Sequence, residues 1–427
     1  MKADEARSDS IPLSKFSMHL GSPSTSSRRD RLLTDYRSVE HLEVYRDGEH
    51  VANLRRRPKG CDFRYTDQYL DSNQPAIALH LPKSREGIQV QGLANLPTYF
   101  AGLLPEGVMF SAAQSLIGAA ADDLFAILAA TGADAIGDID VRIPGEPERK
   151  PTLNLKEATQ QIKSILGHGD RTAIQHLSGI SGVQPKLSLG ELVRSSRSAR
   201  YIAKFDPPEF PDLTRNEFTM TRLAKLCRLN VSHTKLESGV LVIRRFDRTF
   251  EPKSNRLAKV HVEDMLQAMD LFPNSKYSLE YVELLQAMQQ IGVSKAAMLE
   301  AIQLYVFSYI IGNGDLHAKN LSLLFDKEDR QWRLSPIYDL VTTLPYEEIL
   351  PGASRMALAL EDEAFGRFQL GHFTAFGKQF GLPEIAVTQM VTRTANLVLK
   401  HLPATAHNYL EPKHAGVIEG RAKSLTP

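Results

Sequence analysis

Cysteine is nearly absent from this 427-residue chain: Cys61 and Cys227 are the only two. They lie far apart and match no zinc or redox spacing, so the expectation is two free thiols in a reducing compartment. An excess of charge of either sign is missing too. The 51 Lys and Arg residues balance 50 Asp and Glu, a net charge of +1, so bulk electrostatics nominate no nucleic-acid binder. No apolar run approaches the length of a bilayer span. The start, from Met1 to Arg7, carries acidic residues and no apolar core segment, so no secretory signal is expected. A cytoplasmic protein with no membrane partner is the default.

The chain is long enough for two sizeable lobes. Residues 1–38 are rich in Ser, Arg and Asp and cannot bury enough apolar surface to fold, so a disordered tail is expected there. Order should begin near His41, with a hairpin about Asp47-Gly48 flanked by Leu42, Val44, Val51 and Leu54. Phe63-Arg64-Tyr65 suggests a further strand, 97–107 a loop-rich approach, 122–130 a helix, and Ile139 with Val141 a short strand. Strand-like segments follow at 187–189, 201–205 and 239–243, with a helical pattern from Asn216 to Leu226. Beyond Asp247 the pattern is mostly helical, at 262–269, 279–288, 295–311 and 387–402. The coarse picture is α+β and bilobal: a mixed α/β lobe over 39–246 and an all-helical lobe over 247–427.

The most informative stretch is Ile311-Gly312-Asn313-Gly314-Asp315-Leu316-His317-Ala318-Lys319-Asn320, followed by Ile337-Tyr338-Asp339-Leu340. An Asp placed to receive a hydroxyl proton, an Asn five residues on and a second Asp downstream are what ATP-dependent phosphoryl transfer requires. The first orients the nucleophile and the other two hold magnesium against the phosphates. The spacing alone occurs by chance. Its position after an apolar helix-like run at 304–311 and before strand-like Leu321-Ser322-Leu323-Leu324 strengthens it.

Three further groups fall in the order a nucleotide site needs. Ser178-Gly179-Ile180-Ser181-Gly182-Val183-Gln184-Pro185-Lys186 has the glycines and serines of a loop whose N–H groups can approach phosphate, or of an ordinary turn. Lys204 sits in an apolar strand, either facing water or aimed at phosphates with Glu217 as its carboxylate partner. Ile243-Arg244-Arg245-Phe246-Asp247-Arg248 is either a hinge whose backbone can bind adenine or a solvated charge cluster. Within the Asp315 loop, His317 has no partner at metal-ligand spacing and reads as loop-fixing, while Lys319 reads as a phosphate contact or a surface lysine.

Taken together, these residues resemble the HipA family of bacterial serine/threonine kinases, the toxins of toxin–antitoxin pairs. The resemblance rests on 182–186, Arg245-Phe246-Asp247-Arg248, Glu263-Asp264, Lys276-Tyr277, 314–320 and Pro336-Ile337-Tyr338-Asp339-Leu340. Tyr45-Arg46-Asp47-Gly48 and 99–107 carry it into the first half, so it covers about 40–410. It implies a bilobal protein-kinase-like fold, ATP with Mg2+, and a protein serine as acceptor, an aminoacyl-tRNA synthetase by family precedent. Carried over by position, Asp315 is the catalytic base, and Asn320 and Asp339 are the magnesium ligands. Ile180, Ser181, Gly182, Val183, Gln184 and Lys186 are the phosphate loop, and Lys204 the ATP lysine. Arg244, Arg245 and Phe246 form the adenine side, with His317, Lys319 and Tyr338 completing the cofactor contacts.

The resemblance also implies a HipB-like helix-turn-helix antitoxin, through which the kinase meets DNA only indirectly. Relatives restrain themselves by phosphorylating a loop serine, often at the position that is Gly179 here. Self-phosphorylation is therefore expected on Ser181 first and Ser178 second, where added charge beside the ATP phosphates should eject the loop. The alternatives are a small-molecule phosphotransferase of the aminoglycoside or choline type, or a catalytically silent scaffold in an antitoxin–DNA complex. The first is opposed by Gln184, Lys186 and Arg245-Phe246-Asp247-Arg248. The second is opposed by competent residues at Lys204, Asp315, Asn320 and Asp339.

Overall fold

Asp47 and Gly48 turn the chain back with φ of 51° and 85°, the mirror-image geometry that suits a two-residue hairpin. Around this turn β1 (His41–Arg46) pairs antiparallel with β2 (Glu49–Arg57), Leu42 facing Leu54 and Val44 facing Ala52. The computed structural model describes residues 34–91, 96–146, 155–166, 186–189, 200–251, 256–360 and 367–426. With β3 (Gly60–Tyr65), β4 (Ile88–Gln91) and β5 (Ile139–Arg142), the hairpin builds an antiparallel sheet in the order β4-β3-β2-β1-β5. Helices α1 (Asp67–Asp71), α2 (Thr98–Gly102), α3 (Gly107–Ile117) and α4 (Leu124–Thr131) accompany it, and α5 (Leu155–Leu166) follows. Asp123 caps α4 by accepting from the Ala126 N–H. Leu42, Val44, Phe63, Phe100, Phe125 and Ile127 belong to the core of this half.

A second antiparallel sheet carries the site. It consists of β6 (Lys186–Leu189), β7 (Tyr201–Lys204), β8 (Thr234–Glu237) and β9 (Val240–Arg244) in the order β6-β7-β9-β8, with α6 (Leu213–Leu226) between β7 and β8. Next come the hairpin of β10 (Arg248–Glu251) with β11 (Arg256–Lys259), and the sheet β12-β13-β14 formed by His261–Asp264, Ser322–Asp326 and Gln331–Leu334. The remaining helices are α7 (Met265–Ala268), α8 (Tyr281–Ile291), α9 (Lys295–Ile311), α10 (Leu370–Gln379), α11 (Glu384–Ala406) and α12 (Pro412–Ser424). Every residue of α9 from Ala301 to Ile311 is buried, with α8, α10, α11 and α12 packed against the helix. A helix apolar on all sides is one that a core encloses.

The α+β class holds, but the second half is not wholly helical. Where a helix over 262–269 is expected, His261–Asp264 pairs with β13, and α7 starts only at Met265. The reason is local: Asp264 and Gln267 form a reciprocal capping box, which stops the strand and starts the helix at one point. The expected loop over 97–107 contains α2. The expected tail reaches residue 38, yet Asp35 caps a 3-10 turn over Tyr36–Ser38 whose Tyr36 ring is buried; residues 1–33 lie outside the described residues. Cys61 and Cys227 are both free and buried, and burial pushes each thiol up to about 12. Among the described residues no helix is long and apolar enough to cross a membrane.

Candidate active site

The Asp315 loop begins where α9 is stopped. Gly312 adopts φ 69°, a left-handed cap conformation that a side chain disfavours, and the Asn313 N–H donates back to the Ser308 carbonyl at 2.8 Å. Thr343 then holds the turn: its N–H and Oγ1 both donate to the Gly312 carbonyl at 2.8 Å, and Oγ1 accepts from the Gly314 N–H at 2.9 Å. The Asp315 backbone is fixed from both sides. Its N–H donates to Asn313 Oδ1 at 3.0 Å, and its carbonyl accepts from the His317 N–H at 2.8 Å and Asn320 Nδ2 at 2.7 Å. Only its carboxylate faces outward, where the Tyr277 hydroxyl donates to Oδ1 at 2.7 Å.

Lys204 ends β7 with its ammonium enclosed. Nζ donates to both carboxylate oxygens of Glu217, at 2.8 and 2.9 Å, and meets Asp339 Oδ1. A buried ammonium needs such partners, because breaking a buried pair costs about 3–5 kcal/mol. Asp339 has φ 54°, a strained conformation for a side-chain-bearing residue. Flanking bonds impose it: the Ile337 N–H donates to Asn230, the Ser232 N–H donates to Ile337, and Asn216 clamps Thr342.

Lys204, Glu217, Asp315, Asn320 and Asp339 line one cavity of about 1060 Å³, ample for a nucleotide on the scale of ligand pockets, roughly 300–1,000 Å³. Asn320 and Asp339 bring hard oxygen donors to this cavity. Among the described residues no three carboxylate, imidazole or thiol groups cluster as a metal cage. That donor set suits Mg2+, which keeps several waters and takes one or two protein oxygens beside substrate phosphates. The residues present fit the group.

In the same cavity the Phe246 ring stacks on Tyr338 with centroids 5.5 Å apart and planes at 28°, and Arg244 is exposed and lines the cavity. The N–H groups of Arg244 and Arg245 donate to the carbonyls of His233 and Arg200 at 2.9 Å. Arg245 also lines the cavity, but its side chain turns into the protein. Its guanidinium is only 2% exposed and bonds Asp247 at 3.0 and 2.8 Å, Asp134 at 3.1 Å and the Ala135 carbonyl at 2.8 Å. Arg248 joins the same cluster through Asp247, Asp134 and Gly137. Burial opposes the charge on Asp247, but the two guanidinium groups outweigh it and hold the carboxyl below its usual range. These arginines fasten the β9 exit to the 134–137 turn of the first half.

Lys319 is likewise not a surface lysine. It is buried, donates to the Gly102 carbonyl at 3.0 Å, and pairs with Glu106 at 3.1 Å and Asp264 at 3.2 Å. Burial disfavours its charge, yet Asp264 and Glu106 outweigh that and raise its pKa. Glu106 also accepts from Lys276 at 2.7 Å, so a carboxylate of the first half bridges two lysines of the second. Burial lowers the pKa of His317 against the pull of Asp315. The imidazole packs edge-on to Tyr277 at 5.1 Å, and its Nδ1 is buried with no hydrogen-bond partner among the described residues. Tyr338 donates to the Lys319 carbonyl at 2.7 Å.

Tyr277, Glu106 and Asp264 line the cavity although no spacing in the sequence gives them a role. Each stands in a motif that carries the family resemblance, which is the signal that could have flagged it. Ser178, Ile180, Ser181, Gly182, Val183 and Gln184 lie outside the described residues. Lys186 opens β6 directly opposite Lys204 in register.

Comparison with known proteins agrees with this geometry. Residues 178–402 match the HipA-like C-terminal domain and residues 42–142 the HipA N-terminal domain. The protein named "Putative kinase Y4mE" of Sinorhizobium fredii is 26% identical over 90% of this chain and 98% of its own length. The serine/threonine-protein kinase toxin HipA of Shewanella oneidensis is 25% identical over 78% of this chain and 81% of its own. The solved complex of Shewanella oneidensis HipA with HipB and its operator DNA shares the fold, with a TM-score of 0.69 and 23% identity over 90% of this chain and 95% of that one. Both halves of the molecule thus match HipA domains in order, and the chain belongs to the HipA family, whose named relatives are kinases.

Proposed function

We propose that this chain is an ATP- and Mg2+-dependent serine/threonine-protein kinase, built from an N-terminal lobe over 39–246 and a C-terminal lobe over 247–427. One observation carries the reading: Lys204, paired with Glu217, reaches Asp339 in the cavity that also holds Asp315 and Asn320. Asp315 receives the acceptor hydroxyl's proton, and its fixed backbone aims the carboxylate. Lys204 neutralises phosphate charge, with Glu217 keeping the ammonium extended. Asn320 and Asp339 would hold the metal, which would supply charge neutralisation at the phosphates. Phe246 and Tyr338 supply an aromatic wall for the base and Arg244 flanks it, while the assignment of 180–186 as the phosphate loop rests on sequence alone.

The resemblance to HipA extends the proposal to an aminoacyl-tRNA synthetase as acceptor, self-phosphorylation at Ser181 or Ser178, and a cytoplasmic toxin restrained by a HipB-like antitoxin. DNA is then met only through that antitoxin. The test is incubation of the purified chain with Mg2+ and ATP, with and without bacterial lysate, followed by phosphopeptide mass spectrometry. Phosphoserine on the chain or a lysate protein that vanishes with Asp315→Asn is the expected result. Labelling that survives Asp315→Asn removes the central assignment.

A further inference from the structure

The one described partner of the Asp315 carboxylate is a phenol. Tyr277 donates to Oδ1 at 2.7 Å, and this geometry is the one an acceptor hydroxyl must adopt to give up its proton. Burial and the neighbouring Asp315 charge push the phenol pKa upward, so the proton stays on Tyr277 and the bond stays a donated one. The bond is not needed to hold the loop, because the Asp315 backbone is already tied by Asn313, His317 and Asn320. Nor is the ring sealed in: Tyr277 is 50% exposed, and the edge-on contact with His317 is its one described ring–ring contact. The backbone beneath is anchored independently, since the Lys276 carbonyl accepts from the Ala318 N–H at 3.2 Å and the Lys276 ammonium pairs with Glu106.

We infer that Tyr277 stands in for the acceptor hydroxyl, marking the acceptor subsite, and that a productive acceptor must displace it from Asp315. The inference rests on Asp315 being the group that receives the acceptor proton. With the phenol in place, Oδ1 is occupied and a water cannot take that position. Once it is displaced, the acceptor oxygen bonds to the γ-phosphorus, the bond to the ADP oxygen breaks, and the acceptor proton passes to Asp315. An incoming seryl or threonyl hydroxyl exchanges one hydrogen bond to Asp315 for another, whereas in the absence of acceptor the phenol suppresses transfer to water.

The experiment uses water as the probe acceptor. Phosphate release from Mg-ATP, without added protein, is measured for the wild type, Tyr277→Phe, Tyr277→Leu and the double variant Tyr277→Phe/Asp315→Asn, with melting temperatures as fold controls. Both single variants should release phosphate about tenfold faster at unchanged KM for ATP, the equivalent of losing one competing hydrogen bond to a charged group. Release at or below the wild-type rate in both single variants, with lysate phosphorylation still dependent on Asp315, overturns this inference and leaves the proposed function standing. A gain that persists in the double variant overturns the proposed function, because release then bypasses Asp315.

Discussion

Asn216 grips the backbone of Thr342 with both ends of its carboxamide: Nδ2 donates to the carbonyl at 2.7 Å and Oδ1 accepts from the N–H at 2.9 Å. Both residues are fully buried. Asn216 immediately precedes Glu217, and Thr342 lies just beyond Asp339, so one side chain sets the spacing between the lysine's two carboxylate partners. Helix α6 thereby reaches across to the strained Asp339 turn.

Asn216→Ala should therefore act on stability and on the site together. It leaves a buried N–H and a buried C=O without partners, a loss of about 2–4 kcal/mol, read as a lower urea midpoint at unchanged slope. Magnesium-dependent nucleotide affinity should fall with it, because the Asp339 turn is freed. Asn216→Asp can still accept from the Thr342 N–H but sets a carboxylate oxygen against the Thr342 carbonyl, so it should recover neither loss. A urea midpoint that does not move sinks the clamp.

How much of this could be read in advance follows from where each interaction lies along the chain. Helix 295–311 is legible end to end because Ser294 caps it and Gly312 stops it, both local signals. The hairpin at Asp47-Gly48 is legible for the same reason. The stretch 262–269 misleads because its apolar spacing suits a helix, while pairing with β13 is a tertiary event. Lys204 with Glu217 could be proposed from strand and helix order alone. The environments of Arg245 and Lys319 could not: their partners Asp134 and Glu106 come from the other half of the molecule, and nothing local to either cation announces them. Tyr277 stands in a recognisable motif, but its contact with Asp315 is one that only folding creates.

A charged cluster at the junction of the halves should shape the pH dependence of stability. His261 is buried with Nδ1 3.0 Å from Asp138 Oδ1 and Nε2 2.9 Å from Glu263 Oε1. Arg46 donates to Asp138 at 2.8 Å, Lys327 lies 3.6 Å from it, and the Leu79 N–H donates to Glu263 at 2.9 Å. Burial disfavours the imidazolium, but Asp138 and Glu263 outweigh it and raise its pKa above 6.5. Burial likewise disfavours the Asp138 carboxylate, and His261 with Arg46 outweighs that and depresses its pKa.

The signs give two limbs. The His261 contribution is fully present below the unfolded value near 6.5 and is lost as pH rises through the raised folded value. The Asp138 contribution is present above 3.8 and is lost as pH falls through the depressed one. Melting temperature should therefore decline on the alkaline side in the wild type. His261→Gln should be less stable at pH 6 by about 1.5–3 kcal/mol, since it removes the charge-assisted hydrogen bonds to Asp138 and Glu263 while Arg46 and the Leu79 N–H remain, and its alkaline slope should be shallower. Parallel slopes from pH 6 to 9 would show that His261 is uncharged in the folded protein.

Gly314 and Gly416 make opposite predictions from the same substitution. A Cβ on Gly314 would run into the backbone carbonyl oxygens of Ala353 and Arg355, the latter at 2.8 Å, and Thr343 Oγ1 at 2.9 Å. Backbone oxygens cannot swing aside as a side chain does, so Gly314→Ala must move the loop that carries Asp315. The stability cost should be about 1–3 kcal/mol, as for other overpacking changes. Phosphoryl transfer should fall by about 100-fold, since a displacement near 1 Å is enough for that. Gly416 lies within α12 with nothing inside 4 Å of the added carbon. Gly416→Ala should raise stability by roughly 0.5–1 kcal/mol through helix propensity alone and leave transfer unchanged. Thermal melts and single-turnover rates on the pair separate loop placement from general backbone effects. Equal activity in both variants would mean that the Asp315 loop tolerates displacement, contrary to a role in aligning the acceptor.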